Sequence, residues 1–193
     1  MKTQEQLEKI RKQMDSYIQY FWYTDKNILS PVYGINNYGT VDIYLSVTLK
    51  LPYHVKKLPF KINSAQGDFK IRSTQLTTLE GMPRRIEGNF EMCFNQKITS
   101  LAFCPQIIEG DFDCLLQNIT SLQNAPAFVA GNVSIYAKPG LIVDYNGIIS
   151  GDLYLSSNGV NIINMPTVEG NVKMSDPDYL SKIRKSVLNG IIN

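Results

Sequence analysis

Six short motifs built on a glycine recur down the 193-residue chain at nearly constant spacing. They are Gly67-Asp68-Phe69, Gly88-Asn89-Phe90, Gly110-Asp111-Phe112, Gly131-Asn132-Val133, Gly151-Asp152-Leu153 and Gly170-Asn171-Val172, with glycines 21, 22, 21, 20 and 19 residues apart. A fixed period near twenty marks a solenoid, in which each repeat stacks on its neighbours because it cannot bury its own apolar side. With the glycine as position zero, position +2 is always Phe, Val or Leu. Position +4 is Ile71, Met92, Cys114, Ile135, Leu155 and Met174. Alternation of this kind predicts a strand with one buried face. A second apolar step follows as Leu76 and Leu79, Ile98 and Leu101, Ile119 and Leu122. Prolines at Pro83, Pro105, Pro126 and Pro166 then turn the chain, and Ile86, Ile108, Val129, Ile149 and Val168 lead into the next glycine.

The copy Ile86-x-Gly88-x-Phe90-x-Met92, with Asn95, Ile98-Thr99-Ser100-Leu101 and Pro105, resembles a leucine-rich repeat, and Asn118 and Asn158 follow the same asparagine pattern. The Gly-Asp/Asn-Phe and Ile-Thr-Ser-Leu pieces are similar to short repeat proteins of tailed bacteriophages. The resemblance covers about residues 62 to 174. It departs from the pattern at Lys138-Pro139-Gly140, and the first copy lacks the asparagine. It implies an α/β repeat solenoid with one leucine-rich-repeat-like parallel sheet. It also implies a phage protein that acts on a host protein in the host cytoplasm, inhibiting or redirecting it.

The ends read as caps on a single domain. Residues 1–40 form a helical, aromatic N-terminal cap, 41–174 the solenoid, and 175–193 a C-terminal capping helix. Thr3 and Gln6 make a capping-box pair ahead of an apolar stripe from Leu7 to Phe21, and Asp176-Pro177 opens the last helix. Val41 to Leu49 reads as one early, imperfect strand. Met1 to Tyr20 is charged throughout, so no secretion signal is expected, and no apolar run reaches the length of a membrane span. Cys93, Cys104 and Cys114 lack metal-type spacing and are expected to be reduced thiols in a cytosol, with Cys114 on the core side and Cys93 on the opposite face.

Odd positions of the strands point away from the core. Position +1 alternates Asp68, Asn89, Asp111, Asn132, Asp152, Asn171. Like charges directly opposite destabilise a sheet, so the alternation has a structural reason. Further along, Cys93, Leu115, Tyr136 and Tyr154 are expected to form an outward apolar ridge with Arg72 at its edge. Contiguous exposed apolar residues mark interaction sites, which makes these five the candidate partner-binding residues. Cover by residues 50–66 or by a capping helix is the competing expectation, and the cap around Trp22 is the next candidate surface. Residues 50–85 carry eight Lys and Arg against two acids, whereas 86–174 carry eight Asp and Glu against three lysines, although the whole chain is only +2. A bipolar rod suits an oriented protein partner. The alternative is a nucleic-acid interface through Lys56, Lys57, Arg84 and Arg85. Catalysis is not expected: His54 stands without a partner, and Asp111 of the Asp111/Asp113 pair belongs to the alternating row. No cofactor, metal, membrane or small-molecule substrate is expected.

Overall fold

The computed structural model describes residues 1–23, 32–72, 74–116 and 118–175. Over them the chain coils as a parallel β-solenoid of about six turns, entered through one short helix. Each turn contributes to two sheets rather than to the single sheet expected. Sheet A stacks Val47–Leu49, Phe69–Arg72, Phe90–Cys93, Phe112–Leu115, Val133–Tyr136, Leu153–Ser156 and Val172–Met174 in parallel. Sheet B stacks Val41–Ile43, Ile62–Ala65, Arg85–Ile86, Ile107–Ile108, Phe128–Val129, Ile148–Ile149 and Thr167–Val168. The β-branched residues that precede each glycine are thus themselves strand residues, paired in register from Ile86 through Ile108 and Val129 to Ile149. The third side is mostly irregular, with one strand pair, Ile142–Asp144 against Asn161–Asn164.

The expected strand over 41–49 divides into one strand for each sheet, because the chain bends at Tyr44 to Ser46. Val47 pairs with Phe69, so Leu45 occupies the glycine position and Ser46 the +1 position. A further turn therefore precedes the six that carry the glycine.

The register follows the sequence pattern. Positions +2 and +4 are buried from Phe69 through Leu155, and Phe90 and Phe112 stack with ring centroids 5.6 Å apart and planes 6° apart. The core continues under the third side through Leu76, Leu79, Ile98, Leu101, Ile119 and Leu122. Residues 50–66 add Leu51, Val55, Leu58 and Phe60 to it instead of covering sheet A.

The glycines are set by close approach. A Cβ on Gly88 would lie 2.6 Å from the Asp68 nitrogen and 2.7 Å from the Gly67 carbonyl carbon, inside any real contact. The backbones of successive turns meet at this corner, where the N–H of Gly110 donates to the carbonyl of Gly88 at 3.1 Å.

At the N-terminal end, helix α1 (Gln4–Tyr17) has the expected capping box between Thr3 and Gln6. Met14 is fully buried, Tyr17 meets Phe60 edge-on at 5.9 Å, and the Tyr33 hydroxyl donates to Asp15. Two antiparallel strands, Phe21–Tyr23 and Tyr33–Ile35, close the first edges of sheets A and B. They satisfy backbone groups that an open solenoid would leave bare. The capping helix expected over 175–193 lies outside the described residues from 176 onward.

Two substitutions test this packing. Phe112→Ala removes a fully buried ring that stacks on Phe90 and should cost about 3–5 kcal/mol in denaturant unfolding. Gly88→Ala adds one methyl where no space exists and should cost about 1–3 kcal/mol. An effect near zero for either would contradict the register.

Candidate functional site: the outer face of sheet A

The outer face of sheet A carries three rows of side chains. The first is the alternating row at position +1. Each side-chain oxygen accepts the backbone N–H of the equivalent residue one turn later: Ser46 from Asp68 at 3.0 Å, Asp68 from Asn89 at 2.9 Å, Asn89 from Asp111 at 2.7 Å, Asp111 from Asn132 at 2.7 Å, Asn132 from Asp152 at 2.9 Å and Asp152 from Asn171 at 2.8 Å. Asp and Asn serve alike because only an acceptor oxygen is needed. Alternation keeps two carboxylates from facing each other across adjacent strands about 4.8 Å apart.

The second row, at position +3, runs Thr48, Lys70, Glu91, Asp113, Ser134, Tyr154, Lys173 in register. Glu91 is its electrostatic centre, with Arg72 at 2.6 Å and Lys70 at 3.6 Å. Partial burial pushes the Glu91 carboxyl up, but the Arg72 and Cys93 hydrogen bonds and the two cations outweigh it, so it titrates below the usual range. Burial, then neighbouring Asp111 and Glu91, push Asp113 up against the opposing hydrogen bond from Ser134. At the far end the Tyr154 hydroxyl donates to Asp152 at 2.8 Å, and the Lys173 ammonium sits 3.3 Å from Asp152 and 4.8 Å from the centre of the Tyr154 ring.

The third row, at position +5, runs Arg72, Cys93, Leu115, Tyr136, Ser156. Leu115 and Tyr136 are directly paired and are 36% and 55% exposed. Tyr154, 37% exposed, stands in the neighbouring row opposite Ser134, diagonal to Tyr136 rather than stacked on it. Cys93 departs from expectation. Parity points it outward, yet it is only 2% exposed, closed over by the Glu91–Arg72 pair and the flanking strands. It therefore offers no surface to a partner. The exposed candidates narrow to Leu115, Tyr136 and Tyr154, with Arg72 already engaged by Glu91.

The basic candidates separate. Lys57 pairs with Glu80 at 3.8 Å, Arg85 pairs with Glu109, and Lys56 lies over the Tyr53 ring at 4.9 Å. Lys57 and Arg84 line one groove, which Lys56 and Arg85 do not reach. Four of the eight cations of the basic segment, Lys57, Lys70, Arg72 and Arg85, are thus paired with an acid on the next turn. Among the described residues no cluster of three or more His, Cys, Asp or Glu could hold a metal, and no helix is long and apolar enough to cross a membrane.

Three features of the fold lie outside these rows, the first two at asparagines of the repeat pattern. Asn95 is 1% exposed and ties the corner after sheet A, accepting from the Thr74 N–H at 2.9 Å and hydroxyl at 2.8 Å and donating to the Ile71 carbonyl at 2.7 Å. Asn158 is exposed and Asn118 half-buried, so the repeated asparagine has no single role. Phe94 and Phe103, 74% and 63% exposed, both hold left-handed backbone, with φ of 57° and 67°. Compared with family models, curated proteins and solved structures, the chain matches none.

All three thiols are free and buried. Burial, followed by the Glu91 hydrogen bond and charge, pushes Cys93 up to about 11. Burial pushes Cys114 up to about 12 and Cys104 well above its ordinary value. The thiolate is the reactive form. Native protein at pH 8 should therefore leave an aromatic disulfide reagent unreacted, and denatured protein should release three equivalents. Rapid labelling of Cys93 in the native state would overturn its placement.

The Asn171 backbone N–H, the Tyr154 hydroxyl and Lys173 hold the Asp152 carboxyl well below the usual carboxylate range. A depressed folded value means that stabilisation is present above the unfolded pKa of about 3.9 and is lost as pH falls through the folded one. Acid titration of unfolding should thus show a larger loss for the parent than for Asp152→Asn. The variant keeps the ladder oxygen but has no charge to lose.

Proposed function

We propose that the chain is a non-enzymatic protein-binding module that docks its partner on the outer face of sheet A, centred on Leu115, Tyr136 and Tyr154. The supporting observation is the adjacency of these three on consecutive parallel strands, exposed on an otherwise polar face. Parallel strands whose backbones are tied turn to turn form a rigid platform, so binding freezes only side-chain torsions. Tyrosine has few of these and offers a large amphipathic surface. The hydroxyl of Tyr136 carries no side-chain hydrogen bond among the described residues, which leaves it available to a partner.

The finer reading, a leucine-rich-repeat-like protein of phage origin, rests on the resemblance of the Gly-Asp/Asn-Phe and Ile-Thr-Ser-Leu pieces. The buried Asn95 that ties the corner after its strand is consistent with it. On that reading the partner is a host protein in the cytoplasm, such as a defence enzyme, and binding inhibits or redirects it. A non-enzymatic role is consistent with the use of Asp111 in the ladder, where its Oδ1 accepts the Asn132 N–H. Nucleic-acid binding is disfavoured by the neutralisation of Lys57 and Arg85.

Affinity capture from bacterial host lysate, followed by titration of the captured protein, tests the reading. Tyr136→Ala with Tyr154→Ala should leave the cooperative unfolding intact and weaken binding about 30-fold or more, the scale of an interface hot spot. Unchanged affinity in a folded double variant would move the docking face elsewhere. Tight, sequence-independent binding to DNA or RNA that weakens steeply with salt would replace the protein-binding reading altogether.

A further inference from the structure

The corner that leads into sheet B repeats a tight turn. The N–H of Met82, Cys104 and Ala125 returns to the carbonyl of Leu79, Leu101 and Leu122 respectively, at 3.0, 2.9 and 3.1 Å. The residue before each returning N–H holds left-handed backbone: Gly81 at φ 93°, Phe103 at φ 67° and Asn124 at φ 64°. Glycine and asparagine are the residues that tolerate this conformation, whereas a bulky aromatic there is an outlier. Phe103 gains nothing for the core in return, since its ring is 63% exposed. Strained positions of this kind concentrate at ligand clamps, where the side chain is needed for contact.

Phe103 borders a groove of about 690 Å³. That is within the range of roughly 300–1,000 Å³ typical of small-ligand sites. Leu58, Phe60 and Met82 give it an apolar floor, and Lys57, Lys61 and Arg84 line it with positive charge against the single carboxylate of Glu80. Lys57 is taken by Glu80, but the side chains of Lys61 and Arg84 have no hydrogen bond or ion pair among the described residues. The next cavity along this side, about 260 Å³ beside Asn124, is lined by Asp144 and Asn146 and holds no cation. Positive charge, apolar floor and strained aromatic thus coincide at one place.

We propose that this groove binds a short acidic peptide segment, one bulky apolar side chain of which packs against Phe103 and the floor while its flanking carboxylates meet Lys61 and Arg84. The charge complementarity selects the ligand. Two uncommitted cations beside an apolar floor match an apolar residue between carboxylates. A phosphate backbone would require a longer cationic track and would face Glu80. The site is separate from sheet A, and its test does not depend on the docking face proposed there.

The probes are fluorescein-labelled heptapeptides of glutamate with a central phenylalanine, tryptophan or leucine, titrated against the full chain by fluorescence anisotropy. At least one should bind saturably. Binding should weaken at least tenfold when the central residue becomes alanine, and likewise in the Lys61→Glu, Arg84→Glu double variant. Phe103→Gly separates a binding role from a structural one. It should raise the unfolding midpoint, because the strain is relieved, while weakening the peptide at least fivefold. Tyr136→Ala should leave peptide binding unchanged. The proposal is overturned if none of the three peptides binds, if Phe103→Gly lowers the midpoint or binds as the parent does, or if a ten-residue oligouridine binds more tightly than the peptides.

Discussion

The fold depends on one repeated hydrogen bond, from the backbone N–H of each +1 residue to the side-chain oxygen of the +1 residue one turn earlier. At this corner the chain passes from sheet B to sheet A, and the +1 amide bonds to a side chain, whereas its neighbours keep backbone carbonyl partners. An amide without a partner at a close-packed corner costs free energy comparable to a lost hydrogen bond. A short side chain with an acceptor oxygen supplies the partner, and the glycine before it lets the turns approach closely enough for the bond to form. Acceptor and glycine therefore occur together in six copies. In the earliest turn Ser46 supplies the oxygen behind Leu45.

That dependence explains which parts of the architecture could be read from the residues. Positions +2 and +4 are legible because four-residue strands show a clear alternation, and burial follows it from Phe69 to Leu155. Sheet B is hidden. Its strands are mostly two residues long, as in Arg85–Ile86, and a pair such as Ile107–Ile108 shows no period at all. The earliest turn is hidden by Leu45 in the glycine position, which makes two strands look like one. Cys93 escaped because side-chain parity gives direction, whereas burial depends on neighbours. A small thiol between Arg72, Glu91 and Leu115 is covered even on the outer face.

Charge behaves similarly. A basic segment followed by an acidic one looks bipolar along the sequence, but a period of about twenty residues brings half of its cations beside an acid of the next turn. Lys57 meets Glu80, Lys70 and Arg72 meet Glu91, and Arg85 meets Glu109. The exposed pairs, Lys57–Glu80 and Arg85–Glu109, contribute little individually, with typical values of about 0–1 kcal/mol. Their consequence is for recognition: they remove charge that a linear reading assigns to a partner. What remains available is the remainder after pairing, which a sum over the sequence does not show.

A repeat protein also separates structural from functional positions more cleanly than an irregular fold. Each position has several internal copies, which state what the coil itself requires there. Gly81 and Asn124 show that the turn before sheet B asks only for a residue at ease in left-handed backbone, so Phe103 answers to some other demand. Likewise Ser134, Ser156 and Ser175 show that the outer rows of sheet A accept small polar residues, which makes Tyr136 and Tyr154 additions rather than necessities. The same comparison removes candidates: the aspartates at +1 are interchangeable with asparagine at alternate turns, so their carboxylates are explained by the ladder. Departure from the repeat, coupled with exposure and with no gain in packing, is the physical criterion that points to the tyrosine face and to the Phe103 groove.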